Sequence, residues 1–260
     1  MSSAISRNDP HTRVRPLDVL RVRDFRRFWL ALLVQVCGLM MFQFTLGWLA
    51  FEITGSPAQL GLIHLCGFAP QIVLTLLGGV LADRWDPRHL IGVAQLVGAV
   101  GMFALGALTL LGFTELWHLA LASFLIGVST SIDEPSRSVF FPRLLADRAQ
   151  LRAAVPLISM AWGGTRIIAP SIAGFVIAAG GAHASFLVAA CGLSTMVAVI
   201  WMVKPVSAPT AAKHGSVLGN FTASLAYVRG NDVFLKVILA ALLNALAFIL
   251  NCWQLPSLSG

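Results

Sequence analysis

The chain has 260 residues, 57% of them hydrophobic and only 11% charged, with a formal net charge of +7 and a mean hydropathy of +0.82. Soluble domains carry about a quarter charged residues, and the apolar residues here stand in long charge-free blocks, so a water-soluble globule is excluded. The positive charge is spread over a tail and three loops, which is a poor nucleic-acid surface and a good fit to the surface of an anionic membrane.

A hydrocarbon core of ~30 Å is crossed by ~20 helical residues at ~1.5 Å each. Residues 1–27 are polar and arginine-rich and form a tail, and its stretch from Leu20 to Trp29 mixes basic and aromatic residues as a short headgroup-level helix does. The apolar block that follows exceeds the ~7–15 residues of a signal-peptide core, so it predicts a retained membrane helix. Spans one to three are predicted over 28–51, 58–82 and 90–113. The fourth, 116–132, is short and stops at Asp133-Glu134; the fifth, 153–178, carries Arg166; the sixth is 184–203. These six make one domain, 28–203. A loop over 204–236 follows, opened by Lys204-Pro205 and holding an amphipathic stretch with Val217, Leu218, Phe221, Leu225 and Val228, capped by Ser216 and ended by Gly230. Residues 237–260 supply a seventh span and the chain end. Nothing alternates at the two-residue period of a barrel strand.

Turn chemistry supports these boundaries. Ser56-Pro57-Ala58-Gln59 reads as an N-cap, a proline at the first helical position and a capping-box glutamine. Asp86-Pro87 and Asp147-Arg148-Ala149-Gln150 read in the same way. Of the 18 Lys and Arg residues, all but Arg166 fall in the tail or in the 83–89, 133–152 and 204–236 loops. Positive loops mark the cytoplasmic side, which places the N-terminus inside and 112–115 and 179–184 outside.

Arg166 is the sharpest candidate for a working residue. A cation at mid-span costs ~2.5–3.5 kcal/mol unless paired or hydrated, so it is either a functional group or half of a structural ion pair. Gln35 and Gln43 fall ~80° apart on one side of the first span and are expected to line a cavity with Met40 and Met41, or to hydrogen-bond between helices. His64 could titrate during coupling, with a neutral, bonded histidine as the duller reading. Trp29, Trp48 and Trp117 lie near block ends, as interface anchors do. Cys37, Cys66, Cys191 and Cys252 sit in apolar blocks without C-x-x-C spacing, which suggests packing and neither metal nor disulfide. The sequence holds no P-loop, G-x-S-x-G or H-E-x-x-H motif. No enzymatic chemistry and no cofactor are expected.

The segment Gly79-Val80-Leu81-Ala82-Asp83-Arg84-Trp85-Asp86-Pro87-Arg88 resembles the loop signature between helices two and three of the major facilitator superfamily. Asp86 and Pro87 stand where the signature has Gly and Arg. Leu20–Trp29, Glu52–Pro57, Asp133–Arg137 and Arg166–Gly174 extend the likeness to a branch similar to the enterobactin exporter. Within the last of these, Ala169-Pro170-x-x-Ala173-Gly174 is similar to the fifth-helix antiporter motif.

The resemblance implies an all-α, polytopic bundle: the six-helix N-terminal half of a major facilitator fold plus a seventh helix. It implies a secondary exporter of a small amphiphilic molecule, with membrane lipid and that molecule as partners. It implies an inner gate built from Gly79, Asp83, Arg84, Arg88, Asp133, Glu134 and Arg137, in which Gly79 lets helices approach and the arginines pair with the acids of helix four. Arg166, Gln35, Gln43 and His64 become substrate or coupling candidates, and Ala169, Pro170, Ala173 and Gly174 a packing motif. Twelve helices are the family rule, so a further C-terminal half is expected. The alternative expectation is a truncated membrane fragment, or a subunit that needs a partner chain.

Overall fold

A computed structural model describes residues 16–145 and 147–203, the side chains of Leu76, Val80 and Asp83 excepted. The 204–236 loop and the seventh span lie outside the described residues. The described chain is helical throughout: α1 (Pro16–Val19), α2 (Arg23–Thr54), α3 (Pro57–Arg84), α4 (Pro87–Leu110), α5 (Leu116–Phe140), a 3₁₀ turn over Phe141–Leu144, and α6 (Arg148–Met202). α2 to α5 are each long and apolar enough to cross a membrane. α6 has 55 residues, and a straight helix of that length would run ~80 Å, far beyond one crossing. It breaks at Gly181, whose φ of 81° and ψ of 175° are open only to glycine. The limbs α6a (148–180) and α6b (182–202) are therefore the fifth and sixth spans.

The turns follow from local chemistry. Gly55 closes α2 in the left-handed region at φ 62°, and its N–H bonds to the Phe51 carbonyl. Pro57 then opens α3, but the Ser56 side chain makes no cap bond; the Thr54 hydroxyl accepts from the Ser56 N–H at 3.2 Å instead. The Asp86 carboxylate caps α4 by accepting from the Arg88 N–H at 3.0 Å. Asp147 opens α6 without a side-chain cap bond. Glu115 and His118 cap α5 reciprocally, a box that the residue spacing had not suggested.

The charges at 133–137 do not end α5. The helix continues through Asp133, Glu134, Pro135 and Arg137 to Phe140, so what was read as the start of a loop is two further turns. The physical reason is that Asp133 and Arg137, four residues apart, form an ion pair buried inside the bundle.

α2 packs against both limbs of α6, α3 against α5, and α4 against α5 and α6. Small residues set these approaches. A methyl on Gly38 would lie 2.7 Å from the Ala189 carbonyl oxygen, and one on Gly192 2.9 Å from that of Val34. Between α3 and α5, Gly127 meets the Gly67 carbonyl, and Gly78 meets Ser131 and Pro135. Gly78 therefore makes the close approach assigned to Gly79, where an added methyl would meet no atom of the described residues. The main core holds Phe42, Leu46, Met102, Leu119 and Phe186, and beside it Thr45 and Ser185 join hydroxyls at 2.6 Å. A second cluster, with Val19, Phe25, Leu145, Ala154 and Leu157, fastens the tail-side helix α1 to α6a. Trp29 belongs to this packing: its Nε1 donates to the Leu157 carbonyl at 2.9 Å, so it ties α2 to α6a and is no simple interface anchor. Trp48 and Trp117 stay exposed.

Candidate functional site

A cavity of about 210 Å³ opens between α2, α3, α5 and α6a. α2 brings Met40 and Gln43 to it, α3 brings His64, Phe68 and Gln71, α5 brings Thr130 and Glu134, and α6a brings Trp162 and Arg166. Gln43, His64, Glu134 and Arg166, singled out separately in the sequence, thus share one wall space. Gln35 does not; it is buried elsewhere. Met41 is also turned away and lines a separate apolar crevice with Cys37, Gly38 and Ile172.

The depths of these groups follow from helix rise. α3 begins at Pro57, α5 at Leu116, and α6a ends at 180, all at the end of the bundle that carries Gly181. At ~1.5 Å per residue, Gln71, Thr130 and Arg166 each lie ~21 Å from that end, Gln43 ~17 Å, His64 ~10 Å and Glu134 ~27 Å. Three different helices therefore place a polar side chain at one level near mid-span. The Thr130 hydroxyl is occupied by the Ile126 and Gly127 carbonyls. Among the described residues, no carboxylate lies within ion-pair distance of Arg166, so the structural pair that the sequence left open is not formed there.

Gln71, Thr130 and Trp162 were missed in the sequence. Gln71 did leave a signal: it is seven residues from His64 on the same helix, hence on the same face, and is the second glutamine of an otherwise apolar span.

The acids and arginines divide into two separate arrangements. In the first, Arg137 is ion-paired with Asp133 on α5, donates through Nη1 to Gln35 Oε1 on α2 at 3.0 Å, and stacks its guanidinium 5.7 Å from the Trp162 ring on α6a. Gln35 in turn points its amide at Asp133 at 3.5 Å, a long contact. Three helices meet on this one buried charge pair. The other carboxylate oxygen of Asp133, Oδ1, is buried without a partner among the described residues.

In the second, Arg88 reaches the far end of α6b. Its Nε donates to the Ile200 carbonyl at 2.7 Å, and its Nη2 to those of Trp201 at 2.6 Å and Val203 at 2.7 Å. The guanidinium also lies 5.8 Å from the Trp201 ring. These are orphan carbonyls of a helix C-terminus, where a cation is favoured. Of the two arginines expected to pair with Asp133 or Glu134, Arg137 does so with Asp133, and Arg88 instead forms a C-terminal cap, because α5 already holds its own arginine. Arg84 is exposed. The side chain of Asp83 lies outside the described residues.

On α6a, Ala169 and Ala173 are fully buried in the main core, and Pro170 is half-buried inside the helix. A methyl on Gly174 would meet nothing among the described residues. Packing here rests on the two alanines and leaves the glycine open. Among the described residues, no three His, Cys, Asp or Glu side chains gather as a metal site, and Cys37, Cys66 and Cys191 are free thiols. Cys252 lies outside the described residues.

The model of the transmembrane secretion effector family matches residues 14–258. The uncharacterized MFS-type transporter YfiS of Bacillus subtilis is 29% identical over 162 residues, which cover 60% of this chain and 36% of the relative. The staphyloferrin A transporter of Staphylococcus aureus is 26% identical over 147 residues, 56% of this chain and 36% of the relative. The matched part thus spans about a third of the length of these curated relatives. No solved structure matches. With a family match over nearly its whole length and a bundle of membrane-crossing helices, this multi-pass membrane chain belongs to the transmembrane secretion effector family of the major facilitator superfamily.

Proposed function

We propose that the chain forms one half of a secondary exporter in the cell (inner) membrane, with its N-terminus cytoplasmic. The exporter moves a small amphiphilic molecule, siderophore or drug-like, in exchange for an ion. The observation that supports this most is the cavity: three membrane helices, α2, α3 and α6a, bring Gln43, His64, Gln71 and Arg166 to one space walled by Met40, Phe68 and Trp162. A polar ring on an apolar wall suits an amphiphile, and intramembrane ionisable groups are costly enough to be kept for use. A second six-helix half completes the cavity, since substrate in such transporters binds at the interface of two repeats near the midplane. The staphyloferrin A transporter among the relatives supports the siderophore class. The arginine asymmetry of the loops supports the orientation.

In this reading Gly79, Asp83, Arg84 and Arg88 form the cytoplasmic gate with the buried group at Asp133, Glu134 and Arg137, and Asp83 accepts from a helix end of the second half. The test is flux. The full-length gene product is reconstituted in liposomes, a proton gradient is imposed, and a panel of siderophores and dyes is offered. Gradient-dependent movement above protein-free liposomes is expected. In the same preparation Asp83→Asn should impair flux at equal membrane insertion. No movement of any compound in either gradient direction would refute the exporter reading.

A further inference from the structure

We infer that the mid-span level of this cavity is an oxyanion-recognition point: Arg166 binds a carboxylate or similar oxygen anion on the transported molecule, and the Gln71 and Gln43 amides flank it as neutral donors. The inference rests on the cavity being the substrate site. Three features carry it together. Arg166 has no ion-pair partner among the described residues. It shares its depth with Gln71 to within a helical turn, while Gln43 lies one turn away, so two amides lie at the level where a ligand on the guanidinium would sit. Within about one helical turn of that level the wall also carries the apolar and aromatic side chains Met40, Phe68 and Trp162. Those side chains fit a ring or chain carried by the anion.

The neighbouring arginine shows the contrast. Arg137, on α5, is satisfied by Asp133 and Gln35 and takes no ligand without breaking that pair. Trp162, the ring beside Arg137, also lines the cavity of Arg166, which holds the glutamines Gln43 and Gln71 in place of Gln35. Arg166 thus has the surroundings of a bound guanidinium with the carboxylate left out. A carboxylate on the ligand would supply it, through two parallel N–H···O bonds that a lysine cannot reproduce.

Glu134 is the one carboxylate lining the cavity, and it lies ~6 Å, about one turn, deeper than Arg166. It opposes an anion at that level by like charge without neutralising Arg166 directly. Removing its charge should therefore strengthen anion binding.

The test separates binding from transport. Purified full-length gene product is titrated with 1-naphthylacetate and with the neutral 1-naphthylacetamide of nearly the same shape, with tryptophan fluorescence as the readout. The acid is expected to bind at least tenfold tighter than the amide, the scale of a charge-assisted bond. Arg166→Gln should remove that preference; Arg166→Lys should restore only part of it; Glu134→Gln should increase it. Size-exclusion profiles check that each variant is folded. Equal binding of acid and amide to the unmodified protein, no acid binding up to 10 mM (on the order of the weakest ligand such a contact would give), or an acid preference that survives in Arg166→Gln would overturn the inference. Flux assays on the same preparation report on the exporter reading by itself. Flux without acid preference leaves that reading standing and removes this one. Arg166-dependent acid binding without flux does the reverse.

Discussion

Asp133 and Arg137 sit four residues apart on α5, and both are buried where three helices meet. The pair carries no net charge into the membrane, yet each member alone would. Its acceptor and donor capacity is spread over α5 itself, Gln35 on α2 and the Trp162 ring on α6a.

Removing one partner is therefore expected to cost more than removing both. Asp133→Asn leaves the Arg137 guanidinium buried without its counter-charge and should destabilise the protein by about 3–5 kcal/mol. Asp133→Leu combined with Arg137→Leu should lose less than either single change, because it leaves no unpaired charge. Thermal unfolding of the detergent-solubilised full-length protein, run as a double-mutant cycle, measures the coupling. A double variant no better than the worse single one would show that the pair does not act as a unit.

Arg88→Ala removes three hydrogen bonds to the last carbonyls of α6 and should lower stability by about 1–3 kcal/mol, with Arg88→Lys in between. Glu134→Gln should not share this defect, since Arg88 does not pair with it. Parallel melting curves decide. If Glu134→Gln mimics Arg88→Ala, an ion pair and not a helix cap holds the loop.

Gly78 and Gly79 offer a comparison between neighbours. A methyl at 78 runs into Ser131 and Pro135, and a methyl at 79 meets nothing. Gly78→Ala is expected to cost about 1–3 kcal/mol by overpacking, and Gly79→Ala to stay within about 0.5 kcal/mol. Yield and melting temperature of the two variants, made side by side, give the answer. A costlier change at 79 would return the packing role to the residue that the loop signature names.

The proposed orientation gives a labelling pattern. In a background with Cys37, Cys66, Cys191 and Cys252 replaced by serine, a cysteine at His183 should react with an impermeant maleimide added to intact cells. A cysteine at Trp85, exposed at the other end of the bundle, should react only after the membrane is opened. The reverse pattern would invert the topology.

The first three helices were legible because 28–51, 58–82 and 90–113 are charge-free blocks, and the tight turns at Gly55 and Asp86 because their residues leave few conformations open. The end of α5 was not legible. Residue-by-residue hydropathy counts Asp133 and Arg137 as two charges and cannot see that they neutralise each other four residues apart. The choice between Gly78 and Gly79 was hidden for a different reason: α3 is apolar on every side, so its rotational phase toward α5 leaves no periodic trace. The Arg88 contact was hidden because its acceptors are backbone carbonyls 112 to 115 residues away, which no side-chain pattern marks. For the cavity, the candidates on α2, α3 and α6a were visible as isolated polar residues in apolar blocks. That Arg166 shares its depth with Gln71 and Thr130 emerges only once the helix ends are placed.

The grip of Arg88 on α6b also determines how that corner of the molecule responds to its medium. Ion pairs at a membrane surface weaken as salt rises, over a screening length of roughly 8 Å at physiological ionic strength. They also fail when their acid takes up a proton. The acceptors of Arg88 are three amide oxygens that neither titrate nor attract mobile counterions. The tie between the α3–α4 turn and the end of α6 therefore has no carboxylate among its acceptors. At this end of the bundle α4 and α6b are joined by bonds that no change in a carboxylate's protonation can break.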